Sequence, residues 1–515
     1  MTIAKPLYKT YPARRQQQRV AIAGVHRRRP EQPPSGARID RGEKILFVTT
    51  EMRDFIKAGG LGDVSASLPR ALTKSDDVRV LLPGYRSIVH SDRPIRIIGK
   101  TRSFHKLPSC DIGEMQTDDG LTVLVLCNEK LFDRDGSPYT DASGHEWPDN
   151  DIRFATLSHA AADIARGRAQ MSWRPDLLHL NDWPCALAAH YLDGDAGDKV
   201  PTVLTIHNLA YQGVFPASTV GCVGISRRHA EHDRHGRISF LQEGLATATC
   251  LTTVSESYAR QITEPAYGCG LDALLRKRAA EGRLVGIVNG IDTSWNAQRD
   301  PALVAPFSIG GWGQRAINTR ELRTEMGLRQ QDGPLFAVIS RMVQQKGVDL
   351  ICEAAPQMIA AGGQLALIGR GDPSIERAIA RLERRFPGRV AAHVGFEEGL
   401  ARRMFAGADF LLMPSRYEPC GLSQMYAQAY GCLPLAHATG GLIDTIEDGV
   451  TGLLFREASV CELRSCLQRA FRIFAEPLLL NAMRGAAMLE KHGWDGPGRQ
   501  YASLYHRMLL RKAAA

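Results

Sequence analysis

A strand-then-helix rhythm that runs twice, with one irregular stretch between the runs, constrains this chain more than any other feature. Residues 44–49 (KILFVT) read as a buried strand, followed by a glycine-rich turn and a helical pattern carrying Val64, Leu68 and Leu72. Residues 78–82, 121–126, 177–180 and 203–206 continue as strands. After a less regular stretch, about 292–333, the rhythm restarts with strands at 335–340, 365–368, 390–394 and 410–413. Between the first two of these, residues 347–360 place Val348, Ile351, Cys352, Ala355 and Ile359 on one helical face. The pattern predicts two α/β domains with parallel sheets facing each other across a hinge near 289–292. Residues 43–288 form the first domain and 289–495 the second. Residues 496–515 form a helix (pattern at 500–510) that crosses back.

A length of 515 residues suits two domains of this kind. The net charge of +9 tempts a nucleic-acid reading, but its location argues otherwise. Residues 1–42 hold ten Lys/Arg against two acids, so nearly all the excess sits in a leader rich in Pro and Gln, expected to be disordered. The rest of the chain is close to neutral, and no nucleic-acid partner is expected. There is no apolar run of about 18 residues, so no membrane partner is expected either. The eleven cysteines form no C-x-x-C pair, which argues against structural zinc and fits reduced thiols in a cytoplasm.

Ligands of open α/β sheets bind beyond the carboxyl ends of strands. The polar, glycine-bearing turns of this chain fall there, after Thr49, Ile206, Ser340, Ile368, Met413 and Ala436. In the first, Gly59, Gly60 and Gly62 allow close backbone approach and Lys57 supplies a point charge suited to phosphate. The spacing is neither Walker A nor G-x-G-x-x-G. In SRMVQQKG, Arg341 and Lys346 flank a turn and suit a diphosphate. In PSRYEPCGLSQMYAQAYG, Glu418 precedes a helix expected to begin near Gly421; a carboxylate there either caps the helix or serves a sugar. Thr439, Gly440 and Gly441 form a further turn suited to phosphate. His207 and Asn208, with Tyr and Gln nearby in HNLAYQG, suit sugar recognition.

Together these turns resemble the bacterial and plant glycogen/starch synthases, from about residue 44 to 511. The motifs are K-A-G-G-L-G-D-V, N-D-W, H-N-L-A-Y-Q-G, T-V-S-x-x-Y-A-x-x-I, V-N-G-I-D, S-R-x-x-x-Q-K-G, G-x-G-D-P, P-S-R-Y-E-P-C-G-L and T-G-G-L, in family order. The resemblance implies a GT-B fold, no cofactor or metal, and retaining transfer of glucose from ADP-glucose to the 4-hydroxyl ending an α-1,4-glucan. It implies that Lys57, Arg341 and Lys346 hold the diphosphate and that Glu418 sits near the reacting glucose. Gly59, Gly60, Phe396, Cys420, Gly421, Leu422, Thr439, Gly440 and Gly441 would contact the donor. Asp63, Asp149, Asn181, His207, Asn208 and Asn289 would serve the sugar or the acceptor. A double displacement would need a second carboxylate about 5 Å away, which the motifs do not place. Front-face attack assisted by the leaving phosphate is the expectation.

Some positions depart from the family pattern. H-D-W-H appears as Asn181, Asp182, Trp183 and Pro184; Gln242 stands where Lys is frequent; His437 stands where Arg is common; Phe396 replaces Tyr. Competing readings are a related transferase using UDP-glucose and a glucan-binding protein without turnover.

Overall fold

A strand covered on both faces needs a continuous apolar run, and the runs read above are where the sheets form. The structure, a computed structural model, describes residues 42–193, 200–225 and 236–514; the leader expected at 1–42 lies, but for its last residue, outside the described residues. The first half contains β1 (Lys44–Val48), β2 (Asp77–Pro83), β3 (Arg96–Lys100), β4 (Asp111–Gln116), β5 (Thr122–Cys127), β6 (Leu177–Asn181), β7 (Thr202–Ile206), β8 (Val214–Pro216), β9 (Arg237–Ser239), β10 (Cys250–Thr253) and β11 (Leu284–Gly286). Nine of these make one sheet in the order β11-β10-β7-β6-β1-β2-β5-β4-β3, while β8 and β9 pair separately. The second half contains β12 (Leu335–Ile339), β13 (Gln364–Gly369), β14 (Val390–Val394), β15 (Phe410–Met413), β16 (Leu433–His437) and β17 (Leu453–Phe455). They form an all-parallel sheet ordered β14-β13-β12-β15-β16-β17.

Among the parallel strands each order reverses direction once, between β6 and β1 in the first sheet and between β12 and β15 in the second, with the β5-β4-β3 meander added at one end of the first. A crevice opens at such a switch point, outside the carboxyl ends of the strands. The turns after β1, β12 and β15 carry Lys57, then Arg341 and Lys346, then Glu418. The topology alone therefore puts all four side chains at the two crevices.

The chain passes between the halves twice, at neighbouring places. The Ile291 amide donates to the His492 carbonyl at 2.7 Å, and Ile291 bridges to Gly493. Beyond that crossing, the helix Asp495–Ala514 packs on the first half against the helix Gly60–Leu72. Its Tyr505 hydroxyl meets His179 Nδ1 at 2.6 Å, and Thr205 Oγ1 meets His179 Nε2 at 2.6 Å, all buried.

Three expectations need correction. The first sheet is not wholly parallel, because β4 runs antiparallel to both its neighbours, β5 and the edge strand β3. Strands β3 and β4 are short and charge-bearing, as strands at the end of a sheet often are, and lack the apolar run that marks a buried strand. The irregular stretch 292–333 contains the helix Trp312–Glu325. Its buried face includes Arg315, Asn318 and Arg323, so no apolar stripe announces it. Arg315 bonds the Ala408 carbonyl and lies 3.6 Å from Asp409. The helix after Glu418 begins at Ser423 rather than near Gly421, which has φ +72° and belongs to the turn.

Tyr505→Phe leaves the buried His179 Nδ1 without its partner. It should destabilise the chain by about 1–3 kcal/mol, read as a lower midpoint in urea. An unchanged midpoint would mean that the closing helix does not depend on this contact.

Candidate active site

The turn after β1 is organised by a carboxylate that sequence reasoning missed. Glu51 is buried, and its Oε2 accepts the Ala58 and Gly59 amides at 2.7 and 2.8 Å. Its Oε1 accepts the Tyr139 hydroxyl at 2.8 Å. The Gly59 amide, expected to contact the donor, is thus already bonded within the chain. The available signal was an acid just past the end of a strand and eight residues before the first glycine of the turn. Lys57 leaves this turn toward Asp63, with Nζ 2.7 Å from Oδ2. Lys57 Nζ also lies 5.7 Å from the centroid of the exposed Phe396 ring, which comes from the other half.

In the second half, the turn after β12 closes at Gly347 with φ +66°, where a side chain would run into the Pro414 carbonyl. This crossing brings Lys346 to Glu418: Nζ to Oε2 is 2.6 Å, and Ser415 Oγ donates to the same oxygen at 3.0 Å. Glu418 is only 5% exposed, so the ammonium is what makes a carboxylate tolerable there. Arg341 reaches across the cleft, where its Nη1 donates to the Tyr211 hydroxyl at 3.2 Å. The turns 414–422 and 439–442 pack backbone on backbone. The Gly441 amide donates to the Glu418 carbonyl at 3.0 Å, and a Cβ on Gly440 (φ +48°) would collide with that carbonyl. Leu422 faces Gly60 across the cleft, 3.6 Å from where a Cβ would stand. Burial pushes the Cys420 thiol up to about 12, so it stays neutral and is no nucleophile.

N-D-W forms a cradle under H-N-L-A-Y-Q-G. The Asn181 amide donates to the Val48 carbonyl at 2.9 Å, so its oxygen faces His207 Nε2, also at 2.9 Å. That fixes the Nε2–H tautomer of an imidazole that burial pushes down to about 3. Asp182 accepts the His207 amide at 2.7 Å, and burial lifts its carboxyl to about 7. Asn208 spends its oxygen on the Ala210 amide, within its own turn.

The structure thus brings together Lys57, Asp63, Phe396, Arg341, Lys346, Glu418, Gly60, Leu422 and the 439–441 turn. Asn181 is fully buried with both ends of its amide used, so it supports His207 instead of meeting a sugar. Asp149 stands apart, in a two-bonded pair with Arg134 at 2.8 and 2.7 Å. Asn289 is buried, and its Oδ1 has no hydrogen-bond partner. Among the described residues no group of three or more His, Cys, Asp or Glu could hold a metal ion, and no helix is long and apolar enough to cross a membrane.

Two Rossmann-like halves whose switch points lend charged turns to one cleft define a GT-B glycosyltransferase. Residues 44–277 match the starch synthase catalytic domain family, and residues 333–472 match the glycosyl transferases group 1 family. The glycogen synthase of Xanthomonas oryzae pv. oryzae is 61% identical over 464 residues, 90% of this chain and 91% of that one. The glycogen synthase of Pseudomonas fluorescens is 52% identical over 472 residues, 91% and 90%. The catalytic domain of starch synthase IV from Arabidopsis thaliana, solved with ADP and acarbose, superposes with a TM-score of 0.81 at 30% identity, covering 91% of this chain and 99% of that one. The chain belongs to the glycogen/starch synthase family and is a hexosyltransferase of the glycogen synthase type.

Burial holds His179 and His207 down to about 3 and His492 to about 4, against an ordinary 6.5. The unfolded chain then binds more protons than the folded one between pH 6.5 and those values. Stability is full above 6.5 and is lost as pH falls, by about 1.4 kcal/mol per imidazole per pH unit. Asp182, raised to about 7 from 3.8, acts in the opposite sense over part of this window. The net expectation is a lower denaturant midpoint at pH 5 than at pH 7. Equal midpoints would contradict the neutral, buried state of these rings.

Proposed function

We propose that this chain transfers glucose from ADP-glucose to the 4-hydroxyl at the non-reducing end of an α-1,4-glucan such as glycogen, with retention at the anomeric carbon. The observation that carries the reading is the set Lys57, Arg341, Lys346 and Glu418 at the switch points of both sheets. Relatives named glycogen synthase support a glycogen acceptor, and a starch synthase solved with ADP supports an adenine donor.

In this reading the leaving diphosphate gathers charge as the bond to the sugar breaks, and fixed cations aimed at that charge supply the largest part of the acceleration. Lys57 comes from one half, and Arg341 and Lys346 come from the other. Phe396 offers a flat face to the base, beside Lys57. Glu418, with Oε2 engaged by Lys346 and Ser415, has Oε1 to offer a sugar hydroxyl or the positive charge developing at the anomeric carbon. A buried Asn289 oxygen without a partner costs about 1–3 kcal/mol, and a sugar hydroxyl would satisfy it. The acceptor attacks on the face the diphosphate leaves, and the departing phosphate takes its proton, so configuration is kept. Side chains supply the charge that a metal supplies in other phosphate sites, and the reaction as proposed uses no cofactor. Nucleic acid and membrane are not partners in this reading. The enzyme works in the cytoplasm, where its eleven free cysteines stay reduced.

Incorporation of labelled glucose into glycogen tests this, with ADP-glucose and UDP-glucose supplied in parallel. ADP-glucose should support elongation, and Lys57→Ala and Glu418→Ala should each lower the rate by roughly 100-fold. Preference for UDP-glucose would overturn the donor assignment, and near-normal rates in both variants would overturn the site.

A further inference from the structure

One motif, T-V-S-x-x-Y-A-x-x-I, carries no residue used in the reaction above, yet its short helix Glu256–Gln261 touches the cleft from three directions. We propose that this helix is a clamp that sets the donor-side turns for transfer, with Ser257 and Gln261 as positioning residues. The inference rests on the donor turns assigned under the proposed function.

The contacts are specific and run between the halves. Ser255 caps the helix by accepting the Tyr258 amide at 3.2 Å, while its own hydroxyl donates to the Pro419 carbonyl at 2.5 Å, one residue from Glu418. Ser257 gives both its amide (2.8 Å) and its hydroxyl (2.5 Å) to the two oxygens of Asp444, in the short helix that begins within T-G-G-L. The first amides of a helix have no partner within it; here the other half of the molecule supplies one. Gln261 uses both ends of its carboxamide on T-G-G-L. Its Oε1 accepts the Gly440 amide at 3.0 Å, and its Nε2 donates to Thr439 Oγ1 at 3.4 Å. On the opposite side, the Tyr258 hydroxyl accepts the Leu209 amide at 3.1 Å, in the turn that carries His207 and Tyr211.

The consequence passes to the reacting groups through backbone. Gly440 lies against the Glu418 carbonyl, and the Gly441 amide bonds it at 3.0 Å. A shift of 439–441 therefore moves Glu418, and a shift of Leu209 moves the turn that holds Arg341 through Tyr211. Transfer chemistry is sensitive to such shifts, since about 1 Å of misplacement costs roughly 100-fold. Gln261 also sets what Gly440 offers. Its amide is bonded to the clamp, so the donor contact expected of Gly440 is indirect.

The test uses the full chain, measuring kcat and KM for the donor at saturating glycogen together with the thermal midpoint. Gln261→Ala should lower kcat roughly tenfold with the midpoint moved by no more than about 2 °C. Gln261→Glu, which keeps an oxygen for the Gly440 amide, should recover most of that loss. Ser257→Ala and Asp444→Asn should each lower kcat, and the double variant should be no worse than the poorer single one, as expected for a direct pair. Glu256→Gln, at an exposed position of the same helix, should change neither constant. Wild-type kcat in Gln261→Ala, a midpoint drop without a kcat loss, failure of Gln261→Glu to rescue, or additive loss in the double variant would each overturn the clamp. A wild-type chain that ignores ADP-glucose would instead contradict the proposed function, and the same variants would then be read on the nucleotide sugar it does use.

Discussion

Lys57, Arg341 and Lys346 are each held by an oxygen of the chain itself, and the character of that oxygen sets what each cation can do. Lys346 meets a buried carboxylate, Glu418, and neither charge is tolerable there without the other. The pair is therefore rigid, and its cost is met by the bond between its members. Lys57 meets Asp63 in a pair still partly open to water, which contributes little to stability and, in the proposed function, would give way to a phosphate. Arg341 meets a neutral phenol, Tyr211, so its charge remains whole while its direction is fixed across the cleft. In the proposed function, one rigid pair, one exchangeable pair and one oriented charge would together make a preorganised anion site.

These side chains depend in turn on close backbone packing. The second half folds its turns onto one another at Gly347 and Gly440, where any side chain would collide with a carbonyl of the neighbouring turn. The first half uses Glu51 to shape the glycine turn and Asp182 to hold the amide of His207. The site is thus a stack of turns fixed mainly by amides and carbonyls, with few side chains left facing the cleft.

The sequence made the parallel strands legible because burial on both faces forces apolar runs, as in residues 45–48. It hid β3 and β4, the short charge-bearing strands that end the first sheet, and the helix Trp312–Glu325, whose inward face is built on Arg315 and Arg323. Lys57, Arg341, Lys346 and Glu418 stood out because cations and an acid beside glycine turns are costly unless used. Glu51 left only a faint trace, an acid ahead of a glycine turn, and Ser257 and Gln261 left none, because their partners Asp444 and Gly440 lie far away in the chain. Asn181 looked like a sugar ligand for the same reason, since its bonds to Val48 and His207 exist only in three dimensions.

The central claim is that cations from both halves meet on one diphosphate. A crystal structure of the full chain with ADP tests it most directly. The account predicts the diphosphate between Lys57 Nζ and the Arg341–Lys346 pair, with Lys57 turned from Asp63 and the Lys346–Glu418 bond retained. A diphosphate bound away from Lys57, or one touched by a single half only, would contradict it.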